Sequence, residues 1–259
     1  MTRYVRFSLD RTSPPATREA LFGILDGDVV YETLSLGSEQ RGAGRPLSGI
    51  RLLPPSMPSK IVCVGRNYQE HAKELGNPVP AEPIIFLKPP SSLIASGDAI
   101  VFPSISEHLS YEGELGLVIG KRARNVKASA AEQHILGYTC INDVTARDLQ
   151  KKDGQWTRGK GFDTFCPAGP WIVPRGEVAF DQLRVRTYVD GALKQDGSVG
   201  DMIFPVPFII EYVTRFLTLE PGDLVATGTP PGVGSLKAGS IVRVEIEGVG
   251  AIENPVVTE

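Results

Sequence analysis

Cysteine and histidine are both scarce in this chain, with three residues of each among 259. The cysteines, Cys63, Cys140 and Cys166, match no spacing used by zinc sites. An odd and sparse set indicates a reducing compartment. Each cysteine lies among apolar or small residues, so we expect buried and unreactive thiols, with a cysteine nucleophile as the alternative.

The chain also lacks an excess of charge and a long apolar run. Its 27 Lys and Arg against 30 Asp and Glu give a net charge of −3, which offers no basic surface to nucleic acid or to an anionic membrane. The most apolar window, residues 202–213, is broken by Pro205, Pro207 and Glu211 and is shorter than the roughly 20 residues that span a bilayer. The first residues carry no apolar segment typical of a secretory signal. We therefore expect a cytoplasmic protein without a nucleic-acid or membrane partner.

Glycine and proline, by contrast, are plentiful, at 28 and 21 residues spread along the chain without a repeat. This distribution predicts many turns between short strands rather than a helical bundle. Two strand-like segments, 21–25 and 29–34, flank an Asp-Gly-Asp sequence that signals a hairpin. A proline-rich linker then separates a predicted small β-rich N-terminal domain, residues 1–57, from a larger domain, residues 58–259.

Three helices are predicted in the larger domain. Asn67 caps the first, which covers 68–75, and a capping-box pattern at 129–132 begins the second, which ends at Gly137. The third starts with a proline in its first turn and covers 207–219. Most of the remaining segments read as strands, so we predict an α+β fold dominated by β structure.

A strand predicted over 111–119 carries two acidic side chains on one face. Alternation places Glu112 and Glu114 on the same side, about 7 Å apart, opposite the aliphatic side chains. Because this face continues through Gly116 and Val118, the two like charges are expected to be partly buried and to repel each other. A hard divalent cation would relieve both costs, since carboxylate oxygens are its natural ligands. An exposed edge strand with solvated glutamates is the alternative.

A third carboxylate follows the strand predicted over 138–142. Asp143 stands at the end of that strand, where ligands and catalytic groups are commonly placed, and is the third candidate ligand. A helix N-cap is the competing interpretation of Asp143, and equally of Asp148.

His71 and Glu74 are three residues apart on the first predicted helix, so their side chains lie within contact reach. A carboxylate partner fixes the imidazole tautomer and raises its basicity, which is how a water molecule becomes a nucleophile. A surface histidine with a casual ion pair is the alternative. The other two histidines lie in a loop, His108, and in a helix of ordinary amphipathic character, His134.

Two glycine-rich segments are candidates for anion binding. Residues 154–160 match G-x-x-x-x-G-K, but Gly161 stands where a phosphate loop needs Ser or Thr, so we reject a nucleotide site. Lys160 between its two glycines can still approach a substrate carboxylate or an enolate, with a mobile loop lysine as the alternative. The turn within 224–234 offers backbone amides and the Thr229 hydroxyl to a carboxylate, and it does not match a dinucleotide fingerprint.

Taken jointly, these segments resemble the fumarylacetoacetate hydrolase superfamily, and they occur in that family's order over about residues 60–254. The smaller bacterial and acylpyruvase-like members are the most similar. The matching segments are GRNY (65–68) with His71, FLKP (86–89), EGEL (112–115), NDVTARDLQ (142–150), GKGFD (159–163) and TGTP (227–230).

The resemblance implies a flattened β-roll that holds one Mg²⁺ or Mn²⁺, in a protein that is typically a homodimer. It makes residues 1–57 the variable N-terminal unit and the loop 74–83 a lid. The metal-ligand positions of the family fall on Glu112, Glu114 and Asp143. Its catalytic positions fall on His71 and Glu74, the water-activating pair, and on Lys160. Its substrate-binding positions fall on Arg66, Tyr68, Arg147, Gln150 and Thr229, of which the last three hold the 2-oxo acid end.

The activity implied is a metal-dependent hydrolase or lyase for C–C bonds of small 2-oxo acids. Acylpyruvate or fumarylpyruvate hydrolysis and oxaloacetate decarboxylation would all pass through a metal-stabilised pyruvate enolate. One alternative is the isomerisation of 2-hydroxyhepta-2,4-diene-1,7-dioate or the decarboxylation of 5-oxopent-3-ene-1,2,5-tricarboxylate in aromatic catabolism. A second alternative is a non-catalytic member of the fold that binds a metal ion or carboxylates.

Overall fold

The computed structural model describes residues 1–10, 12 and 19–259, and most of these residues belong to strands or to the turns between them. The strands are β1 (Arg3–Ser8), β2 (Leu21–Asp26), β3 (Val29–Thr33), β4 (Gly44–Pro46), β5 (Arg51–Leu52), β6 (Ile61–Gly65), β7 (Ile84–Lys88), β8 (Leu93–Ile94), β9 (Ile100–Phe102), β10 (Leu109–Tyr111), β11 (Gly113–Ile119), β12 (Ile135–Asn142), β13 (Thr145–Ala146), β14 (Cys166–Pro174), β15 (Arg184–Val189), β16 (Ala192–Ser198), β17 (Leu224–Ala226), β18 (Gly234–Leu236), β19 (Ile241–Ile246) and β20 (Gly250–Thr258). The α-helices are α1 (Gln69–Glu74), α2 (Arg147–Asp153), α3 (Thr157–Lys160) and α4 (Val206–Thr214).

The largest sheet has twelve strands and joins the N-terminal segment to the rest of the chain. Its main path is β4-β3-β2-β1-β14-β12-β11-β17-β6-β7, with β5 beside β1 and β8 beside β14. Antiparallel pairing of β1 with β14, with Tyr4 opposite Ile172, makes the N-terminal strands part of the sheet that carries β11 and β12. The other two sheets are a five-stranded sheet, β16-β15-β19-β20-β9, and a three-stranded sheet, β13-β10-β18. The predicted β-dominated α+β class is confirmed, whereas the domain boundary near residue 57 stays a prediction.

The main core lies between the two larger sheets and α4. Leu115 and Leu117 of β11 belong to the same buried cluster as Val185 and Val244 of the five-stranded sheet and Ile210 of α4. Each such side chain contributes about 1.5–3 kcal/mol when it leaves water. Because β11 is paired on both edges, with β12 and β17, it is a central strand. The alternative of an exposed edge strand is therefore wrong.

The hairpin predicted around residues 26–28 is confirmed, with Asp26 opposite Val29 and Gly27 at a φ of 56°. The expectation of buried thiols is also confirmed, since all three cysteines are buried and free. Burial raises the pKa of both Cys140 and Cys166 to about 12. Within the described residues, no helix has the length and apolar character needed to cross a membrane.

The first predicted helix forms, but Asn67 does not cap it. The N-cap of α1 is Tyr68, and no side chain bonds the free amides there. Asn67 instead donates to the carbonyls of Phe204 and Thr227, at 3.1 and 2.7 Å, and accepts from the Phe204 amide at 2.7 Å. Its side chain therefore holds three chain segments together beside the end of β6. The C-terminus matches the prediction, with Gly76 at a φ of 68°.

The other two helix predictions are only partly correct. The capping-box segment forms a 3₁₀ helix over Ala128–His134, and Gly137 lies inside β12 rather than at a helix end. Glu132 does not cap this helix but lies 3.7 Å from Arg175. α4 stops at Thr214, because Leu219 is drawn into a backbone bridge with Ala123.

Candidate metal centre and active-site cavity

Three carboxylates come together where β11 begins and β12 ends. Glu112 precedes β11, Glu114 is its second residue, and Asp143 directly follows β12. One oxygen from each lies within 4.8 Å of the others, and all three residues are buried. Gly113 between the two glutamates leaves the room that this arrangement needs, since a Cβ there would lie 2.1 Å from the Thr187 hydroxyl.

The helix-cap interpretations of the two aspartates are wrong. α2 begins at Arg147 with Ala146 at its N-cap, and no side chain caps it. Asp148 lies in the first turn and accepts bonds from the Ser106 hydroxyl at 2.7 Å and the Glu107 amide at 3.1 Å. Asp143 is therefore free of a capping role, and its carboxylate belongs to the acidic cluster.

Three cationic side chains surround two of the carboxylates. The Lys160 ammonium donates to Glu112 at 2.8 Å and to Asp143 at 2.7 Å. Lys88 donates to the other oxygen of Asp143 at 2.5 Å, and Arg147 pairs with Glu112. Lys160 is 2 % exposed at the end of α3, so the alternative of a mobile loop lysine is wrong.

The electrostatic balance of the cluster singles out Glu114. Burial opposes ionisation of Glu112, but Arg147 and Lys160 hold its pKa below the ordinary value. Burial, followed by repulsion from Asp143 and Glu112, raises the pKa of Glu114 well above its ordinary value.

The Gly228 amide donates to Glu114 at 2.7 Å, and among the described residues no cationic side chain pairs with it. A buried carboxylate without a counter-charge beside two others is a costly arrangement. Oxygen ligands at this mutual separation fit a hard divalent cation, which would supply the missing charge. The chemistry of the donor set therefore suits Mg²⁺ or Mn²⁺.

The predicted His–Glu pair forms and faces the same space. His71 Nδ1 lies 3.2 Å from Oε2 of Glu74, and the Gly232 amide donates to Oε1 of the same carboxylate at 3.0 Å and to Oε2 at 3.2 Å. His71 is 4 % exposed, so it is not the casual surface histidine considered as the alternative. The amide of Gly232 ties the pair to the glycine-rich turn.

A single cavity of about 580 Å³ collects most of the predicted site residues. Two of the rest, Asp143 and Glu74, lie behind its wall, each bonded to a residue that lines it. Tyr68 is buried and does not line the cavity, and its hydroxyl has no hydrogen-bond partner among the residues that the structure describes. The predicted residues on the wall are Arg66, His71, Glu112, Glu114, Arg147, Gln150, Lys160 and Thr229.

Three of the predicted substrate-binding residues, Arg147, Gln150 and Thr229, already bond to protein groups. Gln150 accepts from Arg147 at 3.0 Å, and both side chains project from α2. The Thr229 hydroxyl donates to the Gly113 carbonyl at 2.8 Å and accepts from Gln195 at 2.7 Å. Thr229 therefore fixes the backbone of Gly113, the residue between the two glutamates.

Several residues at the site are not indicated by any local sequence pattern. Phe86 and Trp156 form an aromatic wall, and His108 bonds the Ser235 hydroxyl at 2.8 Å. Lys88 lies behind the wall on Asp143, and Lys151 lines the cavity from α2. No local spacing connects these residues with the acidic cluster. The FLKP segment was the one signal that included two of them.

Comparison with known proteins decides the family. The model of the fumarylacetoacetate (FAA) hydrolase C-terminal domain matches residues 60–257. The chain belongs to the fumarylacetoacetate hydrolase family. The family match begins three residues after the boundary predicted from sequence, and it covers every residue predicted for the site.

Relatives within the fumarylacetoacetate hydrolase family have several activities. A mitochondrial oxaloacetate tautomerase of Xenopus laevis is 47 % identical over 221 residues, which is 81 % of this chain and 69 % of that protein. The solved 2-hydroxyhepta-2,4-diene-1,7-dioate isomerase of Mycobacterium marinum shares 40 % identity and a TM-score of 0.89, covering 100 % of this chain and 99 % of the other.

A hydrolase structure is similar as well. The fumarylpyruvate hydrolase of Pseudomonas aeruginosa, solved with Mn²⁺ and pyruvate, is 35 % identical with a TM-score of 0.74. The match covers 81 % of this chain and 92 % of that one. The fold and the buried acidic site are thus those of a metal-dependent enzyme family whose members carry out hydrolysis, isomerisation and tautomerisation.

Proposed function

We propose that this chain is a divalent-metal-dependent enzyme that cleaves a C–C bond in a small 2-oxo acid with a second carbonyl group. The observation that carries the proposal is that the His71–Glu74 pair, Lys160 and the acidic cluster meet at one cavity. Glu112, Glu114 and Asp143 would hold Mg²⁺ or Mn²⁺. A divalent cation there would act as a Lewis acid towards negative charge on the 2-oxo oxygen, worth several kcal/mol.

Arg147, Gln150 and Lys160 would bind and orient the substrate's oxo-acid end. Arg147 and Gln150 lie one turn apart on α2 and are bonded to each other, which fixes a planar cation at the wall. Lys160 supplies a buried ammonium at the same wall. Two fixed positive charges favour the enolate over the neutral ketone, because the charge develops only as the bond breaks.

His71 would activate water. With Glu74 3.2 Å from Nδ1, the carboxylate would accept from Nδ1–H and leave Nε2 free to take a proton from water. The hydroxide attacks the distal carbonyl, and the C3–C4 bond breaks with its electron pair forming the enolate at C2 and C3. The proton that His71 took from water would then pass to C3 to complete pyruvate, and the acyl fragment, which now carries the hydroxyl, leaves as a carboxylic acid. General base assistance of this kind is typically worth ~10²–10⁴-fold.

A second candidate is tautomerisation or isomerisation of a 2-oxo acid without loss of a carbon fragment. It is supported by the activities of the Xenopus laevis relative and the Mycobacterium marinum structure. The same two cations would stabilise the enolate, and only a proton would move. The site geometry favours hydrolysis, because a pair suited to water activation faces the cavity.

The test is a panel assay of the purified protein after chelation and return of Mg²⁺ or Mn²⁺. Acylpyruvates, oxaloacetate and 2-hydroxyhepta-2,4-diene-1,7-dioate are followed by pyruvate, CO₂ and ultraviolet absorbance. We expect metal-dependent acylpyruvate cleavage, which His71→Gln lowers by ~10²–10⁴-fold while oxaloacetate decarboxylation survives. Retention of both activities in the variant would remove His71 from the mechanism. Silence across the panel would favour a non-catalytic binding protein.

We also propose a homodimer in the cytoplasm. The dimer is supported by the resemblance to the fumarylacetoacetate hydrolase family described above, and neither proposal depends on the mechanism. Light scattering after size-exclusion chromatography gives the mass in solution, for which we expect two copies of the 27.9 kDa chain. A monomer mass would contradict the dimer, and recovery of the protein in a membrane or secreted fraction would contradict the location.

A further inference from the structure

We infer that Gln195 is the positioning residue of the metal centre, because its side-chain amide fixes the backbone between the two glutamates. This inference rests on the proposed function, since it takes Glu112 and Glu114 as ligands of one ion. Gln195 lies on β16 of the five-stranded sheet, whereas both glutamates lie at the start of β11 in the twelve-stranded sheet. It does not line the cavity, so it acts on the site through other groups.

Gln195 is a buried polar residue on a strand whose other side chains are mostly exposed. Residues 192–194 and Asp196 are exposed, whereas Gln195 is 0 % exposed. A buried amide is costly unless it is hydrogen-bonded, so this position needs partners. Gly197 lies on the same face of the strand, and a Cβ there would lie 2.3 Å from the Pro230 side chain. This face of β16 therefore packs closely against the turn that follows β17.

Both ends of the Gln195 amide are bonded. Oε1 accepts from the Gly113 amide at 3.0 Å, and Nε2 donates to the Thr229 hydroxyl at 2.7 Å and to the Pro230 carbonyl at 2.8 Å. These partners fix the orientation of the amide, because an N–H needs an acceptor and a carbonyl needs a donor. Since Thr229 accepts from Gln195, its own hydrogen goes to the Gly113 carbonyl, 2.8 Å away. The three residues thus form a closed ring of hydrogen bonds.

The ring fixes the two peptide groups that join the glutamates. The amide of Gly113 belongs to the peptide that follows Glu112, and its carbonyl belongs to the peptide that precedes Glu114. Glycine is the residue with the greatest backbone freedom, and Gly113 has no side chain with which to anchor itself. An ion held by both carboxylates needs their oxygens at a constant separation. Gln195 therefore supplies the rigidity that the glycine lacks.

Gln195 also holds the turn after β17, through its bonds to Thr229 and Pro230. The Gly228 amide of this turn donates to the Glu114 carboxylate at 2.7 Å. Loss of the Gln195 amide would therefore loosen Glu114 in two ways, through its own backbone and through the donor that orients its side chain.

The test measures the Kd for Mn²⁺ by calorimetric titration of the chelator-treated protein. Gln195→Met keeps the length of the side chain and removes all three hydrogen bonds. We expect the Kd to rise by roughly 10- to 100-fold, which is the usual effect of losing a group that orients metal ligands.

Asn254→Leu is the matched control. Asn254 is a buried amide on β20 of the same sheet, and it donates to the carbonyls of Ala95 and Asp98, both at 2.8 Å. Among the described residues these three do not line the cavity. Both variants lose buried hydrogen bonds and should have a lower Tm, but Asn254→Leu should keep the Kd of the unmodified protein.

A double-variant cycle assigns the effect to the ring. Thr229→Val breaks the ring while Gln195 remains, so it should also raise the Kd for Mn²⁺. Because Gln195→Met breaks the same ring, the double variant should bind Mn²⁺ only slightly less tightly than the weaker of the two single variants. If the two residues acted independently, their fold-changes in Kd would multiply.

The outcomes separate the two proposals. If the unmodified protein does not bind Mn²⁺, the metal site of the proposed function fails, and the role of Gln195 fails with it. If it binds Mn²⁺ and Gln195→Met binds equally well, or no worse than Asn254→Leu, the positioning role is overturned while the metal site stands. Fold-changes that multiply in the double variant would overturn it too. Should Gln195→Met not fold, Thr229→Val decides, since an unchanged Kd in that variant would overturn the ring.

Discussion

Asp223 and Glu114 are both buried carboxylates, but they differ in the donors and charges around them. Asp223 accepts from the backbone amides of Ser59 at 2.8 Å and Glu220 at 2.8 Å, and from the Lys60 ammonium at 2.5 Å. Although burial opposes ionisation, these bonds hold the pKa of Asp223 below its ordinary value. Glu114 has one amide and two neighbouring acids, and its pKa is raised.

The contrast separates a structural carboxylate from one prepared for a ligand. At Asp223 every part of the charge is matched by the protein, so the group joins the segment before β6 to the start of β17. At Glu114 the described residues provide no cationic partner for the carboxylate. The cost of burying its negative charge is relieved only when a cation binds. Burial alone does not distinguish the two sites, whereas a count of donors and cations does.

The largest effect is expected from Glu114→Gln on function. The change keeps the size of the side chain and removes a charged oxygen ligand, so affinity for Mn²⁺ and turnover of the 2-oxo acid should fall together. Loss of Lewis-acid assistance worth several kcal/mol corresponds to roughly 10³-fold or more. Calorimetric titration with Mn²⁺ and kcat/KM measure the two effects. Asp223→Asn is the control and should bind Mn²⁺ as the unmodified protein does. Equal metal binding by the two variants would show that Glu114 is no more a metal ligand than Asp223.

The next effect concerns the lysines of the two sites. Lys88→Met removes a fully buried ammonium from Asp143, and breaking a buried ion pair costs about 3–5 kcal/mol. Lys60→Met removes an ammonium that is 20 % exposed from Asp223, so we expect a cost of about 1 kcal/mol. Urea unfolding of the metal-free proteins gives both free energies. Equal losses of unfolding free energy in the two variants would show that the acidic cluster does not depend on Lys88 to offset its negative charge.

Much of this contrast lies beyond the reach of sequence patterns. Glu112 and Glu114 were predictable, because strand alternation is local, and so was the contact of His71 with Glu74, which depends on one helical turn. Lys88 reaches Asp143 from 55 positions away, and its place depends on the register of β6 with β7. No local rule gives that register.

The elements of the fold also differ in how far local sequence predicts them. The hairpin of β2 with β3 and the alternation of β19 follow from neighbours in sequence. The predicted end of the capping-box helix at Gly137 was wrong because Ile135 enters β12 opposite Ile119, and strand pairing cut the helix short. Asn67 was misassigned for a similar reason, since its three hydrogen bonds are made with two residues, Phe204 and Thr227, that lie more than a hundred positions away.

Asp223→Asn should destabilise the protein by about 2 kcal/mol at pH 7, because charged hydrogen bonds are each worth about 1.5–3 kcal/mol. The folded-state pKa of Asp223 lies below its unfolded value, so its contribution is present above about pH 4 and is lost as the pH falls through the folded pKa. The difference between the unmodified protein and the variant should therefore shrink between pH 7 and pH 3. A difference that stays constant with pH would show that Asp223 acts without its charge.

The smallest predicted effect is a gain in stability rather than a loss. Without metal, Glu114→Gln should stabilise the protein at pH 8, raising the Tm by about 2–4 °C, or about 1 kcal/mol. The reason is that the folded-state pKa of Glu114 is raised by burial and by Asp143 and Glu112, so its stabilising contribution is complete below about pH 4.5 and is lost as the pH rises through the folded value. The gap between variant and unmodified protein should thus widen from pH 5 to pH 8.

Calorimetry in the presence of a chelator measures this gap, and saturating Mg²⁺ provides the control. Binding of the ion stabilises only the protein that retains all three carboxylates, so the order of the two Tm values should reverse when Mg²⁺ is added. A variant that is less stable than the unmodified protein in chelator at pH 8 would mean that the charge of Glu114 is already matched within the fold. Glu114 would then resemble Asp223, and the physical reason for placing a cation at the end of β12 would be lost.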